Sequence, residues 1–508
     1  MGLLGLQRLM SLQGDRQQYR RQIVARNGSI ASVNKRKGSP CLHDGDGDSQ
    51  AGKILGCSIP DLPEDIWRHI HSLMPLRDAA RAACLSHAFL YSWRCHPNLI
   101  FNEDELSSKT HANKQNFNDT IDRILTNHSG IGVKILNFEL DGIAYHNLDK
   151  WLQVAVTPGI EELTVMLCRF KIQYKFPCSL LSEGIRNSIK FLELGFCIFH
   201  PTAELGTLRS LTCLCLFHVH IEGNELECLL SNSPVLEQLD LSHCDKIICL
   251  KIPCVLQQLN YLKAVACRRL RVIENQAPNL SSLYFSGNVI GETSQVKNLS
   301  INRSKGVCYA RVELPSIMPN LETLGIRSGD EGVNTPMLPT KFMYLKHINI
   351  FVKSGTTSPP YDYLSLVSFL DASPSLETLI LDVSQERMEH HESVLGHSSH
   401  WRQMDEHHCS LKSVKIIGFS SAKSLVELTC YILKIAISLE SLTLDTLYGF
   451  RCSDENYNRC LCMGKRILSE APRAVTAVRM YIEDKVPSGV KLTVVEPCSR
   501  CHAVPVGA

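Results

Sequence analysis

Near the C-terminal end, Cys498-Ser499-Arg500-Cys501-His502 has the spacing that attaches a c-type haem, with two thiols to form thioethers and a histidine to ligate iron. That chemistry belongs to exported or organellar chains. The first twelve residues, where Arg8 soon interrupts a short apolar run, have neither the apolar length nor the small-residue cleavage site of a secretory signal. Haem is not expected. His390, His391, His397, His400, His407, His408 and Cys409 supply zinc-type donors, but no second ligand pair has finger-like spacing. The segment reads as a polar loop, and no metal is assigned. Asp44, Asp46 and Asp48 imitate the start of a calcium loop, yet Ser49 replaces the turn glycine and Leu55 stands where the bidentate glutamate belongs. P-loop, nucleophile-elbow and His-Glu-x-x-His signatures are missing from the sequence. The chain is expected to bind rather than catalyse, with no catalytic residue and no cofactor.

Its 508 residues carry Lys+Arg 53 against Asp+Glu 51, far less basic than a nucleic-acid wrapper, so no nucleic-acid partner is expected. No stretch reaches the roughly 18 to 20 apolar residues of a membrane span, so no membrane partner is expected either. The 22 cysteines are scattered without a secretory pattern and read as reduced small hydrophobes, which places the chain in the cytoplasm, the nucleus or both. Residues 1–55 hold nine Lys/Arg and four Asp among Gln, Ser, Asn and Gly, and read as a disordered basic leader. Lys35-Arg36-Lys37 within it is either a nuclear-import patch or an ordinary solvated run.

The elements that must present any binding surface appear as repeats. Pro-x-Leu/Ile-x-x-Leu occurs at Pro158, Pro234, Pro278, Pro319 and Pro374, and looser copies begin at Val133, Ile189, Leu211, Leu345, Leu411 and Leu439. Alternate apolar residues such as Leu239 and Leu241, or Leu379 and Leu381, point to one side of a short strand. Segments such as Asn224 to Leu230 have helical spacing. Stacked in parallel, such units make a curved leucine-rich-repeat solenoid of α/β class, with strands on the concave face and helices or loops on the convex face. Phe191, Phe217, Tyr284, Arg327, His347, Phe351 and Asp382 lie between core positions and are the candidates for gripping a protein ligand. Cys197, Cys213, Cys215 and Cys244 read as core filler.

Ahead of the repeats, Pro63, Glu64 and Asp65 open a helix that Pro75 stops, with Ile66, Ile70 and Leu73 on one stripe beside Trp67 and Met74. An alanine-rich helix from Leu76 and a third piece, Ser86 to Arg94 with Phe89, Tyr91 and Trp93, complete a module too small to bury all its apolar surface. Leu62-Pro63-Glu64-Asp65-Ile66, Ile70, Met74 to Ala80 and Cys84-Leu85-Ser86 with Phe89 and Trp93 resemble an F-box. The departure is His87, where the family has Arg or Lys. This resemblance implies docking onto a Skp-type adaptor and, through it, a cullin-RING scaffold, with Leu62, Pro63, Ile66, Ile70, Leu76, Ala79 and Leu85 in or beneath the interface.

Leu411 to Phe419, Ser424 to Ile437 and Leu439 to Leu444 read as strand, helix and strand, and are similar to the FBD region of plant F-box proteins with leucine-rich repeats. A last helix at 474–482 and a strand at 490–495 follow. The expected organisation is leader 1–55, F-box 56–101, helical linker 102–130, repeats 131–400, FBD-like region 401–485 and terminal strand and tail 486–508. The resemblance implies the substrate-recognition subunit of a Skp-cullin-F-box ubiquitin ligase, whose repeats hold an unknown protein substrate, with or without a small molecule between them. The other reading is a repeat scaffold or ligand-binding protein outside any ligase.

Overall fold

In each repeat the second and fourth residues of a short strand are apolar, and stacking those strands side by side turns the alternation into two buried rows. The protein was analysed as a computed structural model, which describes residues 63–502 apart from 103–113, 141–146, 168–173, 203–204, 288–292, 330, 332–340, 354–360, 384–391, 397–400, 403–408, 450 and 453–458. The basic leader, Leu62 and most of the histidine-rich segment lie outside the described residues.

Among the described residues fifteen strands form one sheet in chain order, every neighbour parallel. They are β1 Asn98–Phe101, β2 Ile135–Leu140, β3 Glu162–Leu167, β4 Phe191–Gly195, β5 Cys213–Phe217, β6 Gln238–Ser242, β7 Tyr261–Val265, β8 Ser282–Phe285, β9 Asn298–Ser304, β10 Thr323–Gly329, β11 His347–Lys353, β12 Thr378–Val383, β13 Ser413–Ile417, β14 Ser441–Asp445 and β15 Lys491–Val495. One register runs through all of them. The first buried row passes from Leu99 through Leu163, Leu239 and Leu324 to Leu442, and the second from Phe101 and Phe138 through Leu241 and Leu381 to Leu444, and both continue half-buried into Leu492 and Val494 of β15. No single repeat could enclose such a core, whose stability comes from neighbour upon neighbour.

The Pro-anchored copies enter β3, β6, β8, β10 and β12, and the looser ones enter β2, β4, β5, β11, β13 and β14. The structure adds strands that the pattern missed: β1, inside the stretch assigned to the helical module, and β7 and β9, which have no proline anchor. Helices such as Leu148–Ala155, Gly223–Ser231 and Lys423–Ile435 cover the other side of the core. In the short repeats after β6 and β7 a parallel strand pair, Cys249–Ile252 with Val272–Asn275, takes the place of helices. The final helix, Lys465–Tyr481, begins earlier than its pattern suggests and runs through Pro472. It gives up one backbone hydrogen bond there but keeps Ala471 and Ala474 buried against the core side. No helix among the described residues is long and apolar enough to cross a membrane.

Candidate partner-binding surfaces

Among the described residues three helices precede β1: α1 Glu64–Ser72, α2 Leu76–Ala82 and α3 His87–Arg94. Pro63 and Pro75 sit immediately before α1 and α2, where a missing N–H is no loss. Ser86 caps α3, its hydroxyl accepting the Phe89 N–H at 3.1 Å. Phe89 is the centre of the small core, edge-on to Trp67 at 4.6 Å and tilted against His71 at 5.1 Å.

That core is filled without the whole apolar stripe. Ile66, Leu73 and Leu85 remain 42%, 74% and 72% exposed, and Tyr91 is also exposed. Of the residues the resemblance assigned to the adaptor, Pro63, Ile66 and Leu85 are at the surface, Ile70 is half-buried, and Leu62 is outside the described residues. Leu76 and Ala79, at 4% and 0% exposure, lie beneath that surface and hold α2 down. Leu73 and Tyr91, exposed as well, were not among the residues so assigned. Leu73 was already on the stripe, where it is the C-cap residue directly after Ser72.

Three histidines join this module to the first repeats. With its proton on Nε2, the His96 ring donates to the carbonyls of His71 at 3.0 Å and Met74 at 3.2 Å, while Nδ1 accepts the Asn98 N–H at 3.1 Å. His128, beyond the helix Lys114–Asn127, reaches the His96 carbonyl at 3.0 Å. Burial holds all three rings below the ordinary imidazole pKa, with the His96 charge a further cause at His71, and carbonyl hydrogen bonds only partly opposing burial at His96 and His128. The unfolded chain therefore takes up protons at about pH 6.5 where the folded chain does not, so the stabilisation is complete above that pH and is lost as pH falls below it. Thermal unfolding followed from pH 7.5 down to about 5 should show a falling Tm, and His96→Gln should flatten that slope. Equal slopes in the two proteins would contradict this account.

On the open face of the sheet, the seven candidate residues all alternate with core positions, but the register separates them into three rows. Phe191 and His347 share the row at the strand starts and sit on distant strands, β4 and β11. Tyr284 is in the middle row, in register with Lys263 and Asp240, which pair at 2.8 Å. Arg327, Phe351 and Asp382 are brought together on β10, β11 and β12, the guanidinium lying 4.9 Å from the Phe351 ring centre. Burial raises the Asp382 carboxyl above its ordinary pKa, and Arg327 pulls partly against it.

Phe217 belongs to a different group, which sequence reasoning missed. Phe196, His218, His243 and Ala266 each follow a strand directly and adopt left-handed backbone, φ 51 to 58°. The N–H of each of the first three donates to the last carbonyl of the next strand, at 2.8 to 2.9 Å, which carries the sheet register into the turn. Three rings consequently stack in a column, Phe196 on His218 at 4.8 Å and His218 on His243 at 4.2 Å, with Phe217 edge-on to all three. Extending the repeat alignment one residue past each strand would have exposed this column. The half-buried stack offers flat apolar and hydrogen-bonding surface at the strand ends. The cysteines read as filler are buried, and burial pushes the Cys197 thiol up to about 12, which keeps it protonated and unreactive.

Residues 59–101 match the F-box domain, and residues 124–499 match the leucine-rich-repeat domain described as At1g61320/AtMIF1. Relatives in Arabidopsis thaliana include the F-box/FBD/LRR-repeat protein At1g13570, 24% identical over 76% of this chain and 91% of its own length. Two others are the F-box/LRR-repeat proteins At4g14103, 26% identical over 63% and 90%, and At4g14096, 24% identical over 64% and 74%.

Proposed function

The chain belongs to the leucine-rich-repeat family of the At1g61320/AtMIF1 type and carries an F-box ahead of its repeats, and on that premise we propose that it is the substrate receptor of a Skp-cullin-F-box ubiquitin ligase. F-box proteins with repeats of this kind are typically non-catalytic adaptors. The observation that carries the finer reading is the unspent apolar surface of the helical module: Ile66, Leu73, Leu85 and Tyr91 stay outside although Trp67, Leu76, Ala79 and Phe89 already make its core. Side chains of this kind are kept on a surface when a partner covers them. In this reading a Skp-type adaptor covers the module and brings a cullin-RING scaffold. The protein to be ubiquitinated occupies the open face of the sheet, between the ring column at β4–β6 and the Arg327–Phe351–Asp382 group. The complex works in the cytoplasm, the nucleus or both.

The test is size-exclusion chromatography of the full chain co-expressed with a Skp-type adaptor, then with a cullin-RING pair added. Co-elution with one adaptor per chain, shifting again with the scaffold, is the expected result. A chain that elutes without the adaptor overturns the ligase reading and leaves a repeat scaffold.

A further inference from the structure

Cys498 and Cys501, set aside above as a false haem motif, are not an isolated pair. Cys452 and Cys460 pack against them, and the four sulfurs all lie within 4.8 Å of one another. We propose that Cys452, Cys460, Cys498 and Cys501 bind a structural zinc ion. This is independent of the receptor reading.

Zinc–thiolate bonds of about 2.3 Å in a tetrahedron place sulfurs about 3.8 Å apart along each edge. The Cys452 and Cys498 sulfurs are 3.6 Å apart, near that spacing and well beyond the roughly 2.05 Å of a disulfide. The donor set is all thiolate, which selects zinc or iron over the hard cations. Four protein ligands leave no open position, so the site is structural and not catalytic.

The fold builds it from two chain segments. β14 and β15 pair up to Asp445 and Val495, so the chains leaving them emerge side by side. The Thr446 N–H and hydroxyl both donate to the Val495 carbonyl, at 3.0 and 2.9 Å. Arg451 pairs with Asp445 and donates to the Glu496 carbonyl at 3.1 Å, fixing the residue next to Cys452 against the chain leading to Cys498. The His502 N–H donates to the Cys498 carbonyl at 2.8 Å, one helical turn that brings the Cys498 and Cys501 side chains to the same side. The Cys452 N–H points at the Cys460 sulfur at 3.3 Å, the kind of outer contact that stabilises a metal-bound thiolate.

The location explains the use. Among the described residues β15 is the last strand of the sheet, paired with β14 alone, and none of its five side chains is fully buried. Such an edge frays and invites foreign strands unless it is pinned. A zinc ion joining the loop after β14 to the tail after β15 clamps that edge. Binding displaces the thiol protons, up to four per ion, and involves no oxidation.

The test is elemental analysis of the full chain, purified with its adaptor if needed for solubility, without chelators and with free thiols counted. One zinc per chain is expected, surviving gel filtration. Cobalt exchanged for zinc should give the absorption of a tetrahedral thiolate complex. A Cys498→Ser/Cys501→Ser variant should hold no zinc and exchange the amides of 491–495 faster, whereas Cys462→Ser, whose exposed thiol lies outside the cluster, should keep it. Cys501→His should retain zinc, which separates ligand loss from misfolding. Iron in place of zinc, two disulfides by mass, or fully reduced wild type that takes up no zinc from added zinc chloride would each overturn the proposal.

Discussion

Replacing Ile66 and Leu85 together by aspartate is expected to weaken adaptor binding by at least about 100-fold while leaving thermal unfolding of the chain unchanged, since two central apolar anchors contribute on the order of 2 kcal/mol each. The asymmetry follows from burial. Both side chains reach water in the free chain, Ile66 with 42% and Leu85 with 72% of its surface, so a charge there costs the fold little, but in an interface it is stripped of solvent without a counter-ion. Ala79→Asp is the contrasting variant. It places the carboxylate in a fully buried position beneath the same surface and should lower Tm as well as binding. Titration calorimetry with the purified adaptor, paired with thermal unfolding, separates the two. Unchanged affinity for the Ile66→Asp/Leu85→Asp protein would place the adaptor elsewhere.

The second large effect concerns a buried charge. Glu427, on the helix Lys423–Ile435, is almost wholly enclosed, and Arg402 answers it with Nε at 2.8 Å and a second nitrogen at 2.5 Å. The same guanidinium grips Asp362 at 2.6 and 3.0 Å, which ties the repeat before β12 to the helix after β13. These hydrogen bonds to Asp362, followed by those to Glu427, hold the Arg402 pKa above its ordinary value against the opposing effect of burial. Arg402→Met removes both side-chain donors and leaves the buried Glu427 carboxylate with the backbone N–H of residue 402, at 3.2 Å, a loss of about 3 kcal/mol because the guanidinium is itself partly in water. Arg402→Met/Glu427→Leu should regain most of that loss, because an apolar pair of similar volume replaces the ions. Denaturant unfolding of the two single variants and the double measures the coupling directly. Equal stability of Arg402→Met and the parent would mean that water, not Arg402, solvates the carboxylate.

Five of the repeats were legible because a proline set their register, and the looser copies were read by their likeness to these five. In every Pro-anchored copy the third residue, Ile160, Leu236, Leu280, Leu321 or Leu376, is fully buried, and the strand begins two residues later. β7 and β9 follow Leu259 and Val296, which fill the same place without the proline, and a lone apolar residue in a chain this rich in leucine carries no signal. The surfaces were legible only as positions. Alternation places Phe191, Phe217, Tyr284 and Arg327 on the open face, but which strands become neighbours depends on counting every strand, including those missed. The cysteine cluster was hidden for the same reason. Cys452 and Cys498 are distant in sequence, and only the β14–β15 pairing brings them together.

β1 starts four residues after α3 ends, and the His96 and His128 contacts close over that short span. The F-box helices are thus an extension of the sheet rather than a module on a tether. In the receptor reading this makes the chain a lever arm of fixed length: whatever the open face grips is held at one bearing and one reach from the scaffold, set by the number of strands between. Such a receptor chooses which surface of its cargo faces the transfer machinery, and inserting flexible glycines between Cys95 and Asn98 should blur that choice without altering what is gripped.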